Sequence, residues 1–125
     1  MVRILVIDDD AAVRDSTAEI LSAHGYSATS APDGEQGLNL LAAEKFDVVI
    51  TDVLMPGMDG IEVVRELRKV RSEVKIIAIS GGSHGTDRFV DLRAAGALGA
   101  DDILEKPFDE DRLIAAIQHL TGAPV

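Results

Sequence analysis

The sequence predicts an α/β fold, a single domain whose five-stranded parallel sheet carries helices on both faces. Three observations predict it. Five short apolar runs alternate with segments of helical periodicity along the 125 residues. The strongest runs, such as Ile4-Leu5-Val6-Ile7, are apolar at successive positions, which marks strands buried on both faces. No repeat, linker or low-complexity stretch breaks the alternation, so the strand-helix units belong to one sheet of parallel strands. A chain of this length has enough interior for one real core.

Taken in order, Ile4 to Ile7 is the first strand, and Thr17, Ile20, Leu21 and His24 then recur at helical spacing, with Gly25 as C-cap. Ser27 to Ala31 is a weak second strand. Pro32-Asp33-Gly34 punctuates it, and Leu38, Leu41 and Ala42 line a second helix. Asp47 to Asp52 is the third strand. Asp59-Gly60-Ile61-Glu62 resembles a capping box, with Asp in place of Ser or Thr, and opens a third helix carrying Ile61, Val64 and Leu67. Val74 to Ser80 is the fourth strand. The loop Gly81-Gly82-Ser83-His84-Gly85 leads to a fourth helix around residues 86–95, whose apolar stripe is the weakest of the five. Asp101 to Glu105 is the fifth strand, and Asp109 caps a last helix with Leu113, Ile114, Ile117 and Leu120 inward, ending near Thr121.

Composition excludes several classes of function. No stretch approaches the roughly 20 apolar residues of a membrane helix, and the start MVRILVIDDD meets acid too early for a signal peptide. Cysteine is absent, so there is no disulfide framework or thiolate metal site, which fits a reducing cytoplasm. The net charge of −10, from 22 acidic against 12 basic residues without a basic block, argues against nucleic acid or anionic membrane as a direct partner. Neither G-x-G-x-x-G nor a Walker-type phosphate loop is present. A flavin module is disfavoured by the missing Ser/Thr-rich phosphate loop and an aromatic content of only 3%.

In such sheets, sites form outside the carboxyl ends of the strands. Those ends carry Asp8 and Asp9 on the first strand, Asp52 on the third and Ser80 on the fourth, with Lys106 just past the fifth. Each has an ordinary explanation alone. Asp10 is best explained as the N-cap of the first helix, and His24, His84 and His119 have no ligand spacing and read as structural or solvated. Met55 and Met58 read as loop packing. As a set, the ordinary explanations fail. Three clustered carboxylates need a cation or a proton, one lysine is not enough, and the oxygen donors suit Mg²⁺, which keeps several waters and sits beside phosphoryl groups. A carboxylate beside Mg²⁺ and an ammonium is a competent phosphoryl acceptor, which makes Asp52 the expected nucleophile.

Four pieces in order carry a resemblance over the whole chain: the acid pair after strand one, the D-x-x-M-P-x-x-D-G run at Asp52, the strand-four hydroxyl, and G-A-D-D-x-L-x-K-P-F. Together they resemble the receiver domain of bacterial two-component response regulators. The resemblance implies a flavodoxin-like fold with strand order 2-1-3-4-5. It also implies that Asp52 is the phosphoacceptor, that Asp8 and Asp9 hold Mg²⁺ (Asp9 directly, Asp8 through water), and that the Leu54 backbone carbonyl completes the metal site. Ser80 matches the switch hydroxyl and Lys106 the lysine of the family pattern, whose bond to the following proline, here Pro107, is often cis in the family. Two positions depart from the pattern. Ile103 stands where Tyr or Phe is usual, and Leu54 stands where a polar side chain is frequent.

Residues 1–125 are therefore expected to form a single receiver domain without an output domain. It would take phosphate from a sensor histidine kinase or a histidine phosphotransfer protein and signal to an unnamed protein target in the cytoplasm. It would be no enzyme beyond its own phosphorylation and dephosphorylation. The alternative within the family is a phosphorelay intermediate. A haloacid-dehalogenase-like phosphatase, mimicked by Asp8-x-Asp10, is disfavoured by Ala12 and by the lack of room for a cap.

Overall fold

Five parallel strands in the order β2-β1-β3-β4-β5 form the sheet. The structure is a computed structural model that describes residues 2–52, 60–70, 73–81, 99–106 and 108–122, with residues 60, 61, 63, 80, 81 and 106 placed by their backbone alone. The elements are β1 (Arg3–Ile7), α1 (Ala11–Ala23), β2 (Ser27–Ala31), α2 (Gly34–Ala43), β3 (Val48–Asp52), α3 (Gly60–Val70), β4 (Lys75–Gly81), β5 (Asp102–Lys106) and α4 (Glu110–Thr121). The expected fourth helix at residues 86–95, the capping Asp59 and the Pro107 bond lie outside the described residues.

The strand order explains the two layers. From β1 the chain steps one way to β2, then returns past β1 to β3 and continues to β4. Right-handed crossovers therefore place α1 on one face and α2 and α3 on the other. Packing follows that rule. Ile4, Val6, Val48, Ile50 and Ile77 face Leu21 of α1 and Leu113 and Ile117 of α4. Leu5, Ile7, Val49 and Ile76 face Leu41 of α2 and Val64 and Leu67 of α3. Successive strand residues thus enter different cores, which is why the sequence shows continuous apolar runs.

Helix ends are chemically specified. Asp10 caps α1 by accepting from the Ala12 and Val13 N–H groups at 2.9 and 3.2 Å. Asp33 accepts from Gln36 N–H at 2.8 Å and Asp109 from Arg112 N–H at 2.7 Å. At the end of α1, Gly25 has φ 85°, and the N–H groups of Tyr26 and Gly25 reach back to Leu21 and Ser22 carbonyls at 3.0 and 3.1 Å. This is a Schellman closure, with Tyr26 packed on the core that holds Leu21.

Several expectations shift. His24 is the exposed cap of α1, 3.4 Å from Glu110, rather than part of the inward stripe. Ala42 is exposed, because α2 packs along Gly34, Gly37 and Leu41. A Cβ at Gly37 would lie 2.8 Å from Ile7 Cγ1, so the close approach of α2 to β1 turns Ala42 outward. In α4, Ala116 joins the buried residues. Strands β3 and β5 begin after Asp47 and Asp101, whose carboxylates turn back to accept from Arg3 and Ile76 N–H at 2.8 and 2.9 Å. Lys106 is the last residue of β5 rather than a loop residue.

One side chain braces the amino-terminal edge. Arg68 of α3 donates to the Gly99 carbonyl through Nε and Nη2 (3.0 and 2.6 Å), to the Val74 carbonyl through Nη1, and to the Asp101 carboxylate. Gly99 has φ 115°, and a Cβ there would stand 3.1 Å from Arg68 Nε. Arg68→Met keeps the aliphatic stem and removes the fork, leaving half-buried acceptors behind. It should cost about 2 kcal/mol of unfolding free energy, allowing for partial exposure. Urea denaturation should show this as a lower midpoint with an unchanged slope.

Candidate metal and phosphoryl site

The site follows from the central ladder. Ile7 pairs with Thr51 across β1 and β3, so the next residues, Asp8 and Asp52, emerge side by side where the strand order reverses. Both are buried, 3% and 5% exposed, while Asp9 beside them is exposed. One carboxylate oxygen from each of Asp8, Asp9 and Asp52 lies within 4.8 Å of the other two. No other group among the described residues has metal-ligand spacing of this kind. At such a separation the buried Asp8–Asp52 pair repels by roughly 3 kcal/mol at an effective dielectric near 20.

Local bonds hold the acid loop open. Asp8 N–H donates to the Ala31 carbonyl at 3.2 Å, extending the β1–β2 ladder by one rung. Asp8 Oδ1 accepts the Asp10 N–H at 3.0 Å, and the Asp8 carbonyl accepts from Arg14 Nη1 at 2.8 Å. Thr51 Oγ1 donates to the Asp52 carbonyl at 3.2 Å. Asp10 is committed to its capping bonds, so the Asp8-x-Asp10 pattern is that of a helix start. Arg14 belongs to none of the motifs that mark the site in the sequence. Its only signal was an arginine four residues after the cap, one turn along α1 and back above the loop.

The register places the remaining candidates by their backbones. Asp52 pairs with Ile79, Ser80 with Glu105 and Gly81 with Lys106. Ser80 therefore stands one rung beyond Asp52, and Lys106 two rungs beyond, roughly 7 Å further along the strands. Leu54, His84, Met55 and Met58 lie outside the described residues. Ile103 is half-buried against Ala78. His24 and His119 are exposed on helices away from the acids. A cavity of about 460 Å³ lies at the opposite, amino-terminal end of the strands, lined by Val2, Phe46, Asp47 and Lys75 among others, and takes no part in the cluster.

The donor set is all carboxylate oxygen, hard and partly open to water. It fits a small oxygen-seeking divalent cation such as Mg²⁺, which binds a few carboxylates and keeps waters. A doubly wound parallel sheet with three carboxylates at its switch point defines a class of α/β domain with an acidic site suited to a divalent cation.

Comparison with known proteins makes this specific. The family model for the response regulator receiver domain matches residues 4–118. The response regulator MprA of Mycolicibacterium vanbaalenii is 43% identical over 119 residues, which are 95% of this chain and 50% of that protein. The chemotaxis protein CheY4 of Vibrio cholerae superposes with a TM-score of 0.84 at 29% identity, covering 96% of this chain and 98% of that one. Full-length FixJ from B. japonicum gives 0.85 at 40% identity, covering 96% and 57%. The chain belongs to the response regulator receiver domain family. It spans about half the length of the curated relatives it matches. Receiver domains are the phosphoaccepting signalling domains of two-component systems rather than classical enzymes, and they bind Mg²⁺ at an acidic pocket. Among the described residues, no helix is long and apolar enough to cross a membrane.

Removing one charge separates repulsion from binding. Asp9→Ala, without divalent cation, should be at least as stable as the parent. The parent should gain about 2.7 kcal/mol when Mg²⁺ reaches 100 times its Kd, and the variant should lose most of that gain. Thermal melts across a Mg²⁺ series measure both effects.

Proposed function

We propose that the Asp52 carboxylate accepts a phosphoryl group from a phosphohistidine on a sensor histidine kinase or a histidine phosphotransfer protein. The observation that carries this reading is the burial of Asp52 at the end of β3, within 4.8 Å of Asp8 and Asp9. A carboxylate oxygen of Asp52 forms the new bond to phosphorus as the phosphorus–nitrogen bond of the donor breaks, and that electron pair returns to the imidazole nitrogen. Burial supports the reaction by excluding water that competes for the phosphoryl group. Asp8, Asp9, Asp52 and the Leu54 carbonyl would hold Mg²⁺, which when bound supplies positive charge for the phosphoryl oxygens.

Lys106 on β5 and Ser80 on β4 are proposed for the same oxygens, an ammonium for charge and a hydroxyl for a hydrogen bond. The chain then promotes only its own phosphorylation and dephosphorylation, in the cytoplasm, and signals through a changed protein-binding face. Ile103 bears on how that face changes. It has no ring to swing and no hydroxyl to anchor an outward pose, its β-branch stiffens χ1, and it already packs on Ala78. The response to phosphorylation is therefore assigned to residues 81–96, where the glycine-rich stretch begins.

Asp52→Asn keeps the volume and removes the nucleophile. Mass spectrometry after phosphoramidate and Mg²⁺ should find phosphoryl incorporation in the parent and only background in the variant; full incorporation in the variant would sink the assignment. Hydrogen exchange with and without beryllofluoride addresses the switch. Protection should change chiefly in residues 81–96 and little at Ile103. A silent 81–96 with a responding β5 and α4 would reject it.

A further inference from the structure

Arg14 lies in the first turns of α1, and the Asp8 carbonyl it binds belongs to the Asp8–Asp9 peptide. The bond, 2.8 Å from Arg14 Nη1, therefore holds ψ of Asp8 and φ of Asp9 together. The two residues on either side of Asp9 are tied as well. Asp8 N–H is bound to Ala31 and Asp8 Oδ1 to Asp10 N–H. The Asp10 carboxylate is spent on the N-terminus of α1, and the Asp10 carbonyl accepts Arg14 N–H at 2.9 Å. A closed ring of bonds thus runs from Asp8 through Asp10 to Arg14 and back to Asp8. Asp9 is the exposed apex of that ring, with little left to vary beyond its own side-chain rotamer.

We propose that Arg14 is a positioning residue for the acid pair, setting the Asp8–Asp9 peptide so that the Asp9 carboxylate is presented toward Asp8 and Asp52 before any cation arrives. The inference rests on the reading of these carboxylates as a cation site. Two effects of Arg14 oppose each other. Its positive charge repels a divalent cation, but Arg14 is half-exposed, and at roughly 8 Å in water-like dielectric, about one Debye length at near-physiological salt, the screened effect is about twofold in affinity. The charge-assisted hydrogen bond on the peptide is larger, on the order of tenfold, because losing it returns backbone freedom to the apex of the loop. Positioning wins, so removing a positive charge next to this site weakens cation binding.

The test uses the full chain, with Mg²⁺ alone as probe. Calorimetric titration should show a Kd about tenfold higher for Arg14→Met than for the parent. Arg14→Lys keeps a donor and should stay within about threefold. In the metal-free proteins, hydrogen exchange at the Asp10 amide should accelerate by about tenfold in Arg14→Met and recover in Arg14→Lys. If the Met variant folds poorly, Arg14→Leu takes its place under the same expectations. Equal or tighter Mg²⁺ binding by Arg14→Met would overturn the positioning role. So would unchanged Asp10 exchange, or a Lys variant as weak as the Met variant. Failure of the parent itself to bind Mg²⁺ would overturn the cation-site reading, and the metal-free exchange comparison would still decide whether Arg14 holds the loop.

Discussion

The pairing of β1 with β3 is the constraint on which the rest depends. Its rungs, Ile4 with Val48 through Ile7 with Thr51, lie at the middle of the sheet and are buried on both faces. Because side chains alternate along a strand, a one-residue slip would exchange the two cores and separate Asp8 from Asp52. The two apolar clusters therefore do more than stabilise the fold. They hold the register that puts one carboxylate beside another.

That placement has an energetic cost that the local structure distributes. Asp8 Oδ1 accepts the Asp10 N–H, which offsets part of its charge, while bonds from Asp8 to Ala31 and Arg14 and from Thr51 to the Asp52 carbonyl fix the backbone that carries the two acids. The neighbouring Asp9 remains in water, where its charge is screened. A cation held there would add stability by relieving the repulsion.

The two ends of the sheet are built differently. At the amino-terminal edge, Arg68 and Arg3 bind carbonyls and carboxylates of adjoining loops, and Arg3 also lies over the Phe46 ring at 4.9 Å. Those arginines cross-link the framework. At the carboxyl-terminal edge the polar groups converge on one another instead. The base of the sheet is thus cross-linked, and its acidic rim gathers like charge.

Much of this was legible in the residues themselves. The β1 run predicts double burial, Asp10, Asp33 and Asp109 predict helix starts, and Gly25 predicts the end of α1, because each depends on chemistry within a few positions. The four motif segments were enough to name the family, and the strand-end rule pointed to Asp8, Asp9 and Asp52 as neighbours. Other features belong to the tertiary structure alone. Ala42 faces outward because Gly37 lets α2 settle against Ile7, a contact between residues 30 positions apart that no periodicity encodes. The Arg68 brace joins α3 to Val74, Gly99 and Asp101, and Arg14 reaches over a strand end to a backbone carbonyl. Long side chains choose their partners only after packing has fixed the distances. Local sequence could therefore state which residues carry charge, and only the folded chain could decide which acceptors they hold.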